Sequence, residues 1–400
     1  MPQKPSTTTT ATTTTATTTT TTTTTTITAS TVGQEVDLES YKKYLRSKFT
    51  GGQKCEDPGS RDTDFPPDPS RTDFGCSTTF QGLTEEERET SSREQIRIWC
   101  DPDTGASSFS EQQSVPFSRS LQTFWENDSS ILCLKRYIKE HCTDGYPVPN
   151  IVHLVAFTNP TMSFRNAIGF YSIFTVAKPC LVLLHSDVEL EGPNWDIMAP
   201  SATNLVRVHR KPLDYINKRK IKFVQTKADL ARIDVLAEYG GIYLDSDMVI
   251  FRNMDIFRAV QFAANKAGSN ANLANGIMFS VPGAELLKIW RDHWKTYLGT
   301  SWNSHSVLLI TKLAKWHPTL MSELGPIFIK FGPANQEKLY KRNCHLKESY
   351  AAHLFKGALP KNADFEYVKK INTTFGRIAR YILFGDSNLC NIDDEESEDR

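Results

Sequence analysis

Two aspartates stand two residues apart inside an apolar run, residues 240–251, which reads GGIYLDSDMVIF. Burying a carboxylate is costly unless a cation or hydrogen bonds meet it. A chain that sets two of them there needs something positive beside them. The run reads as a strand, in which residues two apart share a side, with backbones ~6.6 Å apart. An oxygen-only pair at that spacing suits a hard divalent ion, Mg²⁺ or Mn²⁺, that also takes substrate phosphates. Asp245 and Asp247 are therefore candidate metal ligands. The alternative is a turn at a strand edge, open to water. Spacing alone does not decide, since Asp62-Thr-Asp64 and Asp101-Pro-Asp103 repeat it in loop-like sequence and read as solvated.

The flanking sequence predicts the fold class. NIVHLVAF, CLVLLHS, NLVRVHR and NGIMFSV read as strands, and MSFRNAIGFYSIFTVAK and KADLARIDVLAEYGG as helices. In the second helix Leu230, Ile233 and Ala237 line one face, and the glycine pair stops it. This alternation predicts an α/β domain with a mostly parallel twisted sheet flanked by helices. Ligands of such sheets bind beyond the carboxyl ends of the strands. Asp229 and Arg232, three apart, share a helix face. They form either a surface ion pair or a carboxylate and guanidinium facing the crevice of the aspartates, suited to sugar hydroxyls and phosphate charge.

The rest of the chain is less regular. Residues 7–26 are almost pure threonine, so 1–30 are expected to be disordered, either a mucin-like stalk or an inert tract. Residues 31–147 are polar and rich in turn residues. They are expected to form an irregular, cysteine-containing extension, dispensable for chemistry, with order beginning near Pro149. Residues 148–385 are the expected catalytic domain, and 386–400 a solvated acidic tail. Lys and Arg number 46, as do Asp and Glu, which removes any electrostatic case for nucleic acid. No apolar run approaches the roughly 20 residues of a membrane span, and the N-terminus lacks a signal peptide's apolar region. Eight cysteines, none in a CxxC pair, suit disulfides in an oxidising compartment, with reduced thiols as the alternative. Sequons at Asn127 and Asn372 lean the same way.

KADLARIDVLAEYGGIYLDSDMVIFRNMD resembles the DXD-containing glycosyltransferases of GT-A fold. It is most similar to the α-1,4-glycosyltransferases of the globotriaosylceramide-synthase type and their yeast α-1,6-mannosyltransferase relatives. It also resembles the catalytic core of the large clostridial glucosylating toxins. SYAAHLFKG (349–357) and SWNSHSVLLITKLAKWH (301–317) resemble two later segments of the α-1,4 subgroup, so the resemblance spans about 149–357. It departs from the family where His305-Ser306 stand near an expected Gly-Pro, where Phe355 replaces a tryptophan and where Lys356 replaces an asparagine.

The resemblance implies a retaining, metal-dependent transferase. It would move a hexose or N-acetylhexosamine from a UDP-sugar to a glycan or glycolipid acceptor in α-linkage. It implies Mn²⁺ (or Mg²⁺) at Asp245, Asp247 and His353, and a donor held by Asp229, Arg232, Asp245 and Asp247. Asn275 then lies near the donor sugar or acceptor, with a strand-entry turn as the alternative. The resemblance also implies the Golgi lumen and a membrane anchor, which is not visible in this chain. A GDP-mannose-dependent enzyme of the same fold, a nucleotide-sugar hydrolase and a non-catalytic carbohydrate-binding relative stay open.

Overall fold

The computed structural model describes residues 74–390 except 102–106, 127, 267–271, 300, 302, 326–328, 331–335, 347–348 and 356–358, together with residues 55, 56, 65 and 68. All belong to the unit Val36–Arg400. The threonine tract, the acidic tail from residue 391, Asn127 and the aspartates at 62, 64 and 103 lie outside the described residues.

An eight-stranded sheet organises the molecule. Its spatial order is Ser322–Leu324, Phe262–Lys266, Leu273–Ser280, Gly241–Leu244, Ile151–Ala156, Leu181–Ser186, Leu205–His209, Thr123–Trp125. From Gly241–Leu244 to Thr123–Trp125 every neighbouring pair is parallel. Leu273–Ser280 runs antiparallel to both its neighbours. The α/β architecture with a mostly parallel sheet is the one the alternating pattern predicts.

The central strands are apolar at nearly every position because both faces are covered. Val182 and Leu184 enter the core shared with the helices Phe164–Ser172 and Thr374–Phe384. Leu181 and Leu183 enter the opposite core, beside Ile131, Leu134 and Ile138 of the helix Ser130–His141. The helix Val224–Tyr239 buries Leu230, Ile233 and Leu236 against the sheet and stops at Gly240. Gly240 and Gly241 both have positive φ, 68° and 94°. A Cβ on Gly241 would stand 2.5 Å from Ile151 Cγ1, so helix and sheet meet here only through glycine.

Two expectations are corrected. Residues 240–251 form two strands, not one: Gly241–Leu244 in the main sheet and Met248–Ile250 in a separate three-stranded sheet with Ala351–His353 and Ile329–Lys330. The break is a turn closed by Met248 N donating to Asp245 O at 2.9 Å. Apolar residues on both sides of the turn gave one continuous pattern. The turn-forming chemistry of Asp-Ser-Asp was the competing signal.

Regular structure also begins ahead of Pro149. Ser92–Cys100 and Ser107–Pro116 pair as an antiparallel hairpin, and Thr123–Trp125 adds an edge strand to the main sheet. Only Ile96 and Ile98 of the first hairpin strand are buried in the apolar core, and Arg93, Glu94, Gln95 and Arg97 around them hide the signal. Disulfides join Cys76–Cys390, Cys100–Cys133 and Cys142–Cys180, and Cys344 is also disulfide-bonded. No helix of the described residues is long and apolar enough to cross a membrane.

Candidate metal and donor site

The turn at the end of Gly241–Leu244 places Asp245 and Asp247 at the carboxyl edge of the parallel strands, where such sheets take ligands. The next strand then recruits a residue from far along the chain. Met248–Ile250 pairs antiparallel with Ala351–His353, with Met248 opposite His353. Leu354 N donates to Asp247 O at 3.0 Å and fixes that register. His353 Nε2 thereby stands 2.9 Å from Asp247 Oδ1 and 3.9 Å from Asp245 Oδ2.

One atom from each of Asp245, Asp247 and His353 lies within 4.8 Å of the others. Two ligands on a small octahedral ion are at most about 4.2 Å apart, at bonds of ~2.1 Å. The three groups thus need only a slight tightening to share an ion. Two carboxylates with one imidazole form a mixed oxygen and nitrogen set that suits Mn²⁺ better than Ca²⁺. The donor set fits a divalent metal.

The two carboxylates are steered differently. Asp245 Oδ1 accepts from Tyr243 Oη at 2.9 Å and pairs with Arg232 Nη2 at 3.1 Å. Its Oδ2 is left facing His353 and Gly276. A Cβ on Gly276 would lie 2.7 Å from that oxygen, so only glycine leaves the space. Asp247 Oδ2 pairs with Arg165 Nε at 3.3 Å. Burial would raise the Asp247 carboxyl pKa, but the hydrogen bond and charge of His353, with Arg165, hold it below the usual range. Burial likewise opposes the charged form of His353, and the two aspartates outweigh it and raise its pKa.

Asp229 and Arg232 are buried, so they are not a surface ion pair. Arg232 Nη2 lies 3.4 Å from Asp229 Oδ1 and its Nη1 donates to Asn275 O at 2.7 Å. Asn275 Nδ2 donates to Asp229 Oδ1 at 2.8 Å. The three residues therefore form one network that Arg232 joins to Asp245. Burial pushes the Asp229 carboxyl up to about 6, against the lowering effects of Arg232, Asn275 and Ser306. Ser306 lies where the resemblance expected Gly-Pro, so that segment still reaches the site. Arg232 stays cationic: burial acts against it, and Asp245, Tyr243 and Asp229 more than restore it.

Every residue named from the sequence is brought together here: Asp229, Arg232, Asp245, Asp247, Asn275 and His353. Sequence reasoning missed Arg165, Tyr243 and Gly276. Tyr243 had a signal, since it lies two before Asp245 and points the same way. Arg165 had none, because its helix lies about 80 residues upstream and only the fold brings it near.

Comparison with known proteins agrees with the motif. Residues 177–268 match the family described as glycosyltransferase sugar-binding region containing DXD motif. A 198-residue stretch is 27% identical to glucan organizing enzyme 1 of Cryptococcus neoformans var. grubii, covering 45% of this chain and 53% of that protein. The chain thus spans about half the length of this curated relative. Among solved structures, the PaToxG glycosyltransferase aligns over 47% of this chain and 77% of its own, at 12% identity and a TM-score of 0.33. A glycosyltransferase involved in glycosylation of the major capsid of PBCV-1 aligns over 52% and 94%, at 12% identity and a TM-score of 0.30. Structural likeness of that degree adds nothing to the assignment, which rests on the sequence match and on the site. The segment that carries the Asp245–Asp247 turn is thus similar to the DXD-containing glycosyltransferase sugar-binding family.

Proposed function

We propose that this protein is a retaining glycosyltransferase that uses Mn²⁺, or Mg²⁺, to move a sugar from a UDP-sugar to a glycan or glycolipid acceptor. The observation that carries the reading is the convergence of Asp245, Asp247 and His353 at the carboxyl edge of the sheet. A divalent ion bound there would supply positive charge against a departing diphosphate. Asp245, Asp247 and His353 are the residues that would hold it. Arg232, charged and buried, orients the Asp245 carboxylate and keeps water from competing for it. Asp229, anchored by Asn275, accepts from donor hydroxyls. Arg165, beside Asp247, adds a second cation near the leaving phosphates. No side-chain nucleophile is invoked, because a retaining transfer in which the acceptor enters on the face the leaving group vacates needs none. The disulfides favour the secretory pathway, since such bonds persist in oxidising compartments.

The test is release of UDP or GDP from a panel of sugar nucleotides, with and without Mn²⁺. UDP release that requires Mn²⁺ and is stimulated by glycan supports the reading. Release confined to GDP-mannose moves the donor to the mannosyltransferase alternative. No turnover of any sugar nucleotide makes the protein a non-catalytic relative.

A further inference from the structure

The N-terminal hairpin turns Ile96 and Ile98 to the core and sets Arg93, Gln95 and Arg97 on its other face. Arg93 is 4% exposed. Its Nη2 donates to Arg119 O at 2.8 Å, but its Nε and Nη1 are buried without a hydrogen-bond partner. Arg97 Nε and Nη2 are in the same condition. Glu111, opposite Arg97 in the hairpin register, accepts from Gln113 Nε2 at 3.3 Å. The acid whose charge reaches Arg93 is Glu189, and it is already paired with Arg207. Burial and the charge of Arg97 push Arg93 down to about 10, and burial and Arg119 lower Arg97. Both stay cationic at neutral pH.

Among the described residues, Arg93, Arg97, Arg119 and Arg207 thus stand against Glu189, already paired with Arg207, and the exposed Glu111. Water could satisfy the orphan N–H groups but not the excess of positive charge, and burying a cation without its own counter-ion is costly. The missing partner is an anion. Arg207 Nε donates to Ser186 Oγ at 3.2 Å, at the carboxyl end of Leu181–Ser186, and Glu189 follows that strand. Arg207 stands on the strand Leu205–His209, three strands from Gly241–Leu244, or roughly 14 Å at ~4.8 Å per strand. That separation is too large for the leaving diphosphate to serve both places. It is suited to a group several sugar units from the reacting end of a chain.

We propose that Arg93, Arg97, Arg119 and Arg207 bind an oxyanion carried on an acidic glycan. Planar guanidinium forks match carboxylate and sulfate geometry. The glycan part of this inference rests on the transferase reading; the anion part rests on the unpaired guanidiniums alone.

The test uses the full chain in EDTA, so that the Asp245, Asp247 and His353 cluster holds no ion. The probe is a four-unit oligogalacturonate, with its methyl ester as the uncharged control, followed by calorimetry. The acid form is expected to bind at least tenfold more tightly than the ester and to weaken as salt rises. Arg93→Gln and Arg97→Gln should each weaken it at least tenfold, while Lys288→Gln on the Glu285–His293 helix leaves it unchanged. If Arg93→Gln fails to fold, Arg97→Gln, on a part-exposed side chain, carries the test. Equal affinity for acid and ester, or for wild type and Arg97→Gln, overturns the proposal. Sugar-nucleotide turnover with Mn²⁺ is read in parallel. Turnover without oligogalacturonate binding sinks this inference and spares the transferase reading; binding without turnover does the reverse.

Discussion

His353 Nε2 lies 2.9 Å from Asp247 Oδ1, although 106 residues of chain separate them. The contact exists because the strand that leaves the aspartate turn pairs with the strand that ends in His353. His353→Ala should therefore weaken Mn²⁺ binding by roughly 10- to 100-fold while the far-UV spectrum is unchanged. Calorimetric Mn²⁺ titration reads this directly. Unaltered affinity would reduce His353 to a hydrogen-bonded neighbour of Asp247.

Asp229 and Arg232 give a pH-dependent prediction. Burial raises the Asp229 carboxyl to about 6, so it is charged above that pH and neutral below it. If the carboxylate form holds the donor, donor affinity falls as pH drops through about 6. Asp229→Asn should bind donor weakly and show no such limb. Arg232→Lys keeps the charge but loses the fork that reaches both Asp245 and the Asn275 carbonyl, and should lower turnover by at least tenfold. Donor KM and turnover across pH 5–8 decide the matter.

Gly276→Ala should damage the site without unfolding the protein. The added Cβ would sit 2.7 Å from Asp245 Oδ2 and 3.4 Å from His353 Cε1. Asp245 would have to turn away from the metal ligands. Metal affinity should drop at least tenfold with a melting temperature within a few degrees of wild type. An intact Mn²⁺ affinity would show that Asp245 does not use that oxygen.

A buried histidine pair sets the acid stability of the sheet. His153 Nε2 donates to Gly240 O at 2.7 Å, so its Nδ1 accepts from His185 Nε2 at 2.9 Å. Both rings are then neutral. Burial lowers His153 to about 4, and burial with the charge of His153 takes His185 well below its ordinary value. The unfolded chain takes up these protons at about pH 6.5 and the folded chain does not. Stability is therefore fully present above about pH 6.5 and is lost as pH falls toward 4, by about 3 kcal/mol from His153 alone. Urea unfolding from pH 7 to 4.5 should show this slope, and His153→Gln should flatten it.

How much of this was legible in the sequence differs by element. The strands Ile151–Ala156 and Leu181–Ser186 announced themselves as short continuous apolar runs, and the helix Val224–Tyr239 by its length and its glycine stop. The Asp245–Asp247 turn did not, since apolar residues before and after it belong to two different sheets. The hairpin at Ser92–Pro116 was hidden because one of its faces is built from arginines and glutamines. The candidate metal ligands Asp245, Asp247 and His353 and the Asp229–Arg232 pair were named from spacing and resemblance. Their burial, and the link from Arg232 to Asp245, depend on packing that no local pattern encodes.

Calorimetric titration of UDP into wild type and Asp247→Ala, each with Mn²⁺ and with EDTA, tests the account at its centre. Wild type should bind UDP in Mn²⁺ and lose at least 100-fold in EDTA. Asp247→Ala should bind weakly under both conditions, with its fold retained. UDP binding that is equally tight in EDTA, or unchanged by Asp247→Ala, would contradict the claim that the aspartate turn holds the ion that meets the diphosphate.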